Sequence, residues 1–540
     1  MRCPSRPLRS CAEPAACQVG PAPTSPPRRR RAGATRGTPR AGGFATDVSI
    51  DTLPSNCERG HERDRPGHPT RGTSVSVDET STAPVSERAP RVIRLERHGD
   101  RYRTDFVELA DDLHATAPIA WNDTDGGYWF VSGNQELFDT ARRADLLSND
   151  NDPHGERKGY VGISIPAMNP ESAKAMAGPA GALGGNFLLL DPPVQRHYRN
   201  ALNAYLSPAA VARWQPVLDE ITRAALDEVV ETGRIDFVDD LANIVPAVLT
   251  MAMLGFPMAD WEVYCEPTHA QVYTKPNTPE MDRVIEQSIA MAMRTYGYIA
   301  EIRANPRPGL VNGLINAEIT GRKPEDSDVF GAVSLLIGGG FDTTTALTAH
   351  ALEWLGENPG QRARLIAEWD ELRDSATEEF LRYYTPAPGD GRTVTQDAEI
   401  HGAQFKEGDR LWLSWAMANR DATVFEDPHE LKLDRKGNRH ASFGLGIHRC
   451  IGSNVARATF KTMLKAVLDR MPDFVCDPDG AVHYDTVGVI NGMKHLPATF
   501  TPGPRLGPGL AETIDRLQTV VDEQRLAEPV TVQREAARLS

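Results

Sequence analysis

The chain has 540 residues, enough for one large domain with tails or for two or three average ones. Residues 1–72 carry thirteen arginines, no lysine and six acidic side chains. The net charge of −15 therefore leaves about −22 on residues 73–540, a basic tail on an acidic body. Four of the seven cysteines lie in the tail, and Cys265, Cys450 and Cys476 are too far apart in sequence for a disulfide framework or a paired-cysteine zinc motif.

The tail is rich in proline and glycine and has hardly any apolar run, so it cannot bury enough surface to offset chain entropy; disorder is expected over residues 1–85. Its "PRRRRAG" stretch has no interleaved aromatic residues and no amphipathic helix after it, so no nucleic-acid arm and no stable membrane anchoring are expected. No methionine occurs between Met1 and Met168, and a translation start near Val75 or Val77 is one reading of the tail. Nothing near Met1 offers the apolar stretch of a leader, which points to a cytoplasmic protein.

From there the pattern is mainly helical with small β-sheets. "YWFVSG" (128–133) reads as a strand. "VLDEITRAALDEVVETG" (217–233) puts Val217, Ile221, Ala224, Ala225, Val229 and Val230 near one face and stops on Gly233, an amphipathic helix. Helical periodicity returns over 236–255, 281–302, 329–359, 361–384 and 454–472, with strands expected at 393–402, 410–416 and 495–502. No internal repeat occurs, and nothing splits residues 86–503 into two domains. Residues 504–540 form a C-terminal extension in which "AETIDRLQTVVDEQRLAEP" reads as a helix.

The chemistry concentrates in two places. In "FGLGIHRCIG" (443–452) Gly444, Gly446 and Gly452 strip side chains from around Cys450, as a loop does whose backbone closely approaches a flat ligand. A helix follows, which favours thiolate, so Cys450 is either a metal ligand or a nucleophile with His448 as its base. In "SLLIGGGFDTTTAL" three glycines, Gly338 to Gly340, interrupt a helix at about 1 kcal/mol each relative to alanine. A ligand lying against that backbone explains them. Asp342 and Thr343 follow, an acid beside an alcohol, the pair that relays protons to a bound oxygen species. Taken singly, Thr343 could merely bond back to the carbonyl four residues earlier, and Asp342 could sit on a solvated face.

Together, "FGLGIHRCIG", "GGFDTT" and "EEFLR" (378–382) resemble the haem loop, the oxygen-binding helix and the Glu–Arg motif of the cytochrome P450 superfamily, in particular soluble bacterial members of the camphor hydroxylase type. "LDPPVQRHYRNAL", "ANRD" and "NGMKHLPATF" extend the likeness over residues 90–502. The resemblance implies a single haem-binding domain of that fold. It assigns Cys450 as the axial ligand to the iron of haem b, with His448, Arg392, Arg199 and Gln195 at the propionates and Phe443, Gly444, Gly452, Gly339 and Gly340 lining the cofactor. Asp342 and Thr343 become the proton relay, and Glu379 and Arg382 a structural pair. The family usually has Arg or His where Glu430 stands; here either Glu430 pairs with Arg382 or His429 takes over the role.

The implied activity is a haem-thiolate monooxygenase that uses O₂ and two external electrons to hydroxylate a hydrophobic small molecule of terpenoid, steroid or fatty acyl class. A haem sensor, a peroxygenase and a cysteine-nucleophile enzyme remain the alternatives. Apolar walls are expected from the loop over 159–187, the segment around 269–281, and Phe341, Ala387, Val487 and Ile490. These 540 residues contain neither a dinucleotide fingerprint nor a four-cysteine cluster set, so electrons must come from NAD(P)H through a ferredoxin and its reductase. Arg196, Arg439, Arg449, Arg457 and Lys461 border the cysteine loop and would steer an acidic ferredoxin.

Overall fold

The computed structural model describes residues 89–150, 185–275 and 278–530; the tail and most of the glycine- and proline-rich loop over 159–187 lie outside them. The described chain is mainly helical. Its principal helices are α1 (Val194–Leu206), α2 (Gln215–Val229), α3 (Ile244–Leu254), α4 (Trp261–Tyr273), α5 (Pro279–Ala304), α6 (Asp326–Gly340), α7 (Asp342–Glu357), α8 (Trp369–Tyr384), α9 (Ser453–Arg470) and α10 (Leu510–Glu523).

The amphipathic reading of 217–233 corresponds to α2, which buries Val217, Leu218, Ile221, Ala224 and Ala225. A fully buried aliphatic side chain of this kind contributes about 1.5–3 kcal/mol. The chain then turns through Gly233, whose φ of 68° only glycine adopts without strain. The helix expected over 236–255 begins instead with a π-helical turn, Val238–Ala242, before α3. α3 is apolar all round because it is surrounded, and it ends at Gly255 in the left-handed region.

Two stretches expected as single helices are each broken. The first divides at Phe341 into α6 and α7, the second at Glu368 into Pro359–Ala367 and α8. The apolar period continues across both joints, so periodicity alone does not show them. By length and composition the 326–357 stretch could cross a bilayer, but its apolar residues belong to the protein core.

Strands form small sheets. The largest runs β1-β2-β3-β9-β6-β4, from β1 (Val92–Ile93), β2 (Ile119–Asn122), β3 (Tyr128–Val131), β4 (Leu147–Ser148), β6 (Asp390–Val394) and β9 (Arg410–Leu413). β5 (Arg234–Asp236) joins β13 (Pro497–Thr499) and β10 (Val475–Cys476), while β7 (Ala398–Ile400) pairs with β8 (Ala403–Phe405) and β11 (Val482–His483) with β12 (Met493–His495). The main helical core gathers α2, α3, α6, α7 and α9, and separate apolar clusters cover the two faces of the large sheet.

α10 is part of that core. Ile514, Leu517 and Val521 are buried in it, Arg223 of α2 bonds Thr513 and the Pro508 carbonyl, and the Asp227 carboxylate accepts from the Leu506 and Gly507 amides.

Candidate functional site

The segment leading to Cys450 is held by one buried asparagine. Asn419, in "ANRD", donates to Thr385 Oγ1 and Ser442 Oγ at 2.8 Å each and accepts from the Ala441 amide at 2.7 Å. Ser442 Oγ in turn donates to the Leu381 carbonyl at the end of α8. Beyond this anchor Gly444 and Gly446 take φ of 66° and 69°, and a Cβ on Gly446 would stand 2.9 Å from the Ala141 carbonyl. The loop then folds back so that the Cys450 amide donates to the Phe443 carbonyl at 2.7 Å.

Cys450 thus lies just ahead of α9. It is crowded by protein yet keeps accessible surface. Burial raises the thiol above its usual pKa, and the Gly452 amide, Arg199, Arg449 and Arg457 only partly oppose that. His448 is pushed down to about 3 by burial and by Arg392 and Arg199, so it is neutral at pH 7. A neutral thiol beside a neutral imidazole is not the ion pair of a cysteine nucleophile. A cation bound at the sulfur would deprotonate it outright.

α1 braces the loop from below. Gln195 donates to the Ile447 carbonyl at 2.8 Å and Arg199 to the Arg449 carbonyl at 2.6 Å. Arg392 on β6 is almost wholly buried and donates to the carbonyl of its own neighbour Gly391. One buried and one half-buried guanidinium group beside a neutral imidazole, with backbone carbonyls as their hydrogen-bond partners, are ready for an anionic ligand.

Of the three glycines of α6, Gly338 and Gly339 are exposed, and a Cβ on either would meet nothing within 4 Å. Gly340 differs. A Cβ there would stand 2.9 Å from Thr250 Oγ1, so Gly340 admits the close approach of α3.

Asp342, the first residue of α7, is wholly buried instead of lying on a solvated face. Its Oδ1 is bonded by His269 Nδ1 from α4 and accepts from the Tyr484 hydroxyl at 2.8 Å. Its Oδ2, and His269 Nε2, are buried without a partner among the described residues. Burial by itself would lower His269, but the adjacent Asp342 carboxylate overrides it and lifts the ring to about 10. Burial raises Tyr484 strongly, and Asp342 adds to that. Thr343 Oγ1 donates to the Gly339 carbonyl at 3.2 Å, the bond back along the helix that its position allows.

A family model described as Cytochrome P450 matches residues 270–480. The chain is 29% identical to a steroid C26-monooxygenase of Mycolicibacterium smegmatis over 73% of its own length and 90% of that protein. It is 28% identical to the linalool 8-monooxygenase of Pseudomonas putida, over 72% and 94%. The crystal structure of CYP109E1 from Bacillus megaterium in complex with testosterone superposes with a TM-score of 0.64 at 26% identity, over 74% of this chain and 99% of that one. The family model, the relatives and the fold agree in supporting a bacterial cytochrome P450 superfamily member, a monooxygenase.

A P450 implies a haem and O₂. The residues present fit a haem: a thiol on a glycine loop, bare helix backbone at Gly338 and Gly339, and the Arg392 and Arg199 donors suited to propionates. In this P450 the Glu379–Arg382 pair forms in α8 at 2.8 Å, both side chains fully buried, and its third member is Arg435, whose Nε stands 2.9 Å from both Glu379 oxygens. The Glu430 side chain does not pair with Arg382. Its backbone carbonyl accepts from Arg382 Nη2, its carboxylate is 70% exposed, and His429 bonds Asp111.

Ala387 and Ile490 come together beside Ala346 and Tyr484 in one small apolar cluster. Phe341 is fully buried in the helical core and Val487 packs with the large sheet, so neither joins that cluster. Sequence reasoning missed His269, Tyr484 and Arg435. Each comes from a segment outside the recognised motifs, and the only sequence trace is a basic residue in "DRKGNRH" for Arg435 and a histidine in an otherwise weakly patterned helix for His269.

Proposed function

We propose that this P450 hydroxylates a hydrophobic small molecule of terpenoid, steroid or fatty acyl class, with Cys450 as the axial ligand to haem iron. The observation that carries the proposal is Cys450 itself. It is a protonated thiol, crowded by protein yet keeping accessible surface, which makes a poor free nucleophile but becomes a strong ligand once a metal cation binds. Arg392, Arg199 and His448 would hold the propionates, and Gly339 and Gly444 would leave room for the ring.

When bound, the haem supplies the oxidising power that places one atom of O₂ in a C–H bond. The protein's own part is proton supply. Asp342 offers an unpartnered Oδ2, and Thr343 holds its hydroxyl one residue away in a long bond to Gly339 that is easily given up. His269 and Tyr484 act as positioning residues, fixing Oδ1 so that Oδ2 alone is left to exchange a proton.

The substrate class rests on the apolar patch at Ala387, Ile490 and Ala346 and on the relatives, whose names specify steroid, linalool and methyl-branched lipid substrates. Electrons would come from NAD(P)H through a ferredoxin and its reductase. Arg457 is bound to Glu378 and Lys461 to Asp374, so the attraction for an acidic partner falls to Arg196, Arg439 and Arg449.

The test is spectroscopic. The reduced carbon monoxide complex should absorb at the thiolate-haem position, and Cys450→Ser should abolish that band; a band unchanged in the variant refutes the assignment. Titration with a steroid, a terpene alcohol and a fatty acid, read as the low-spin to high-spin shift of the haem, then selects among the three classes.

A further inference from the structure

Below Asp342 on the same helix, α7 carries His350 and Glu353, three residues apart, and the strand end of β11 brings His483 against them. His483 Nε2 lies 3.0 Å from Glu353 Oε1, His350 Nδ1 lies 3.4 Å from Glu353 Oε2, and one ligand atom from each residue falls within 4.8 Å of the others. We propose that these three side chains bind a divalent transition-metal ion of the zinc class, at a site separate from the haem, and that the ion ties the β11–β12 hairpin to α7.

The donor set favours this. Two imidazoles and one carboxylate with an open fourth position are a ligand set that zinc accepts, whereas magnesium and calcium demand oxygen ligands. Around a tetrahedral ion with bonds near 2.0–2.1 Å, neighbouring ligand atoms stand about 3.3 Å apart. The observed separations straddle that value, and the 3.4 Å pair is already long for a direct N–H···O hydrogen bond.

The site is also held in shape. The His350 ring is nearly buried and stacks on Tyr384 with centroids 4.6 Å apart and planes 5° from parallel. His350 Nε2 has no partner among the described residues, so it is free to carry the proton when Nδ1 gives up its contact with Glu353 and turns its lone pair to an ion. Glu353 is 18% exposed and His483 38%, which leaves the fourth position open to water.

The ion's place in the molecule gives it a consequence. His483 immediately precedes Tyr484, whose hydroxyl reaches Asp342, so an ion fixing His483 to α7 also fixes the approach of Tyr484 to the acid.

The test uses the full-length haem-bound protein, stripped with a chelator and titrated calorimetrically with zinc chloride in a non-coordinating buffer. Because the tail's cysteines can also take up zinc, the readout is the difference between wild type and variants. His483→Ala and Glu353→Gln should each lose one equivalent of zinc or bind it at least about 10-fold more weakly. His495→Ala, which disrupts the neighbouring exposed Asp236, Asp239 and His495 group, should bind zinc as wild type does. Zinc should raise the thermal midpoint of the wild type and not that of His483→Ala. An unchanged haem spectrum certifies that the variants are folded. Equal zinc binding by wild type, His483→Ala and Glu353→Gln overturns the proposal, and so does loss confined to His495→Ala.

Discussion

Two buried ionic clusters lie in the helical half of the molecule and are finished to different degrees. Around Glu379 the charged groups are satisfied. All five N–H bonds of Arg382 have acceptors: two Glu379 oxygens and the carbonyls of Asn419, Pro428 and Glu430. The carboxylate accepts further from Arg435, the Lys432 amide and Asn438. Around Asp342 the opposite holds: one carboxylate oxygen takes both His269 and Tyr484, while the other oxygen and His269 Nε2 have no partner among the described residues. A saturated network holds chain segments in place, and an unsaturated one keeps an atom available for chemistry.

The largest effect should come from breaking the saturated cluster. Glu379→Ala leaves two arginines buried without their anion, so the protein should lose about 3–5 kcal/mol of stability in denaturant titration and retain haem poorly. Breaking the unsaturated cluster should cost less stability and more activity. Asp342→Asn should lower turnover by about 100-fold, as for loss of a general acid, with the substrate-induced spectral shift little changed and only the stability of the protonated His269 pair lost. If Asp342→Asn destabilises as much as Glu379→Ala, the two clusters do the same job.

A third effect lies in pH. His269 is raised from 6.5 to about 10 in the folded protein. A native state that binds the proton more tightly than the unfolded chain gains stability that is fully present below pH 6.5 and is lost as pH rises through 10. Wild type should therefore weaken across that window, and His269→Gln should flatten the pH profile of the unfolding midpoint. The smallest effect sharpens the comparison from the other side. Only the backbone carbonyl of Glu430 serves the saturated cluster, so Glu430→Ala should change stability by no more than about 0.5 kcal/mol.

The two clusters also mark how much of the site is legible in the sequence. Cys450, Gly339, Asp342, Thr343, Glu379 and Arg382 were legible because each sits in a short motif whose residues act on one another locally. The partners that decide their behaviour were not. His269 reaches Asp342 from 73 residues away, Tyr484 from 142, and Arg435 reaches Glu379 across 56. Helix type was legible from the apolar period, and the breaks at Phe341 and Glu368 were hidden by the continuation of that period. The role of Gly340 shows the same limit: three adjacent glycines look alike in sequence, and only the position of Thr250 separates the third from the others. The expected lowering of the Cys450 pKa by its helix was reversed because burial outweighs it.

The seating of α10 on α2 bears on how the protein would respond to a protease. The connector over 503–508 is rich in glycine and proline, while the helix beyond it contributes Ile514, Leu517 and Val521 to the main core. Cleavage in that connector would give a nicked molecule whose two pieces stay associated, held by the apolar face of α10 and by bonds from Arg223, Glu220 and Glu228 of α2. On a denaturing gel the chain would run as two fragments, and on a sizing column as one.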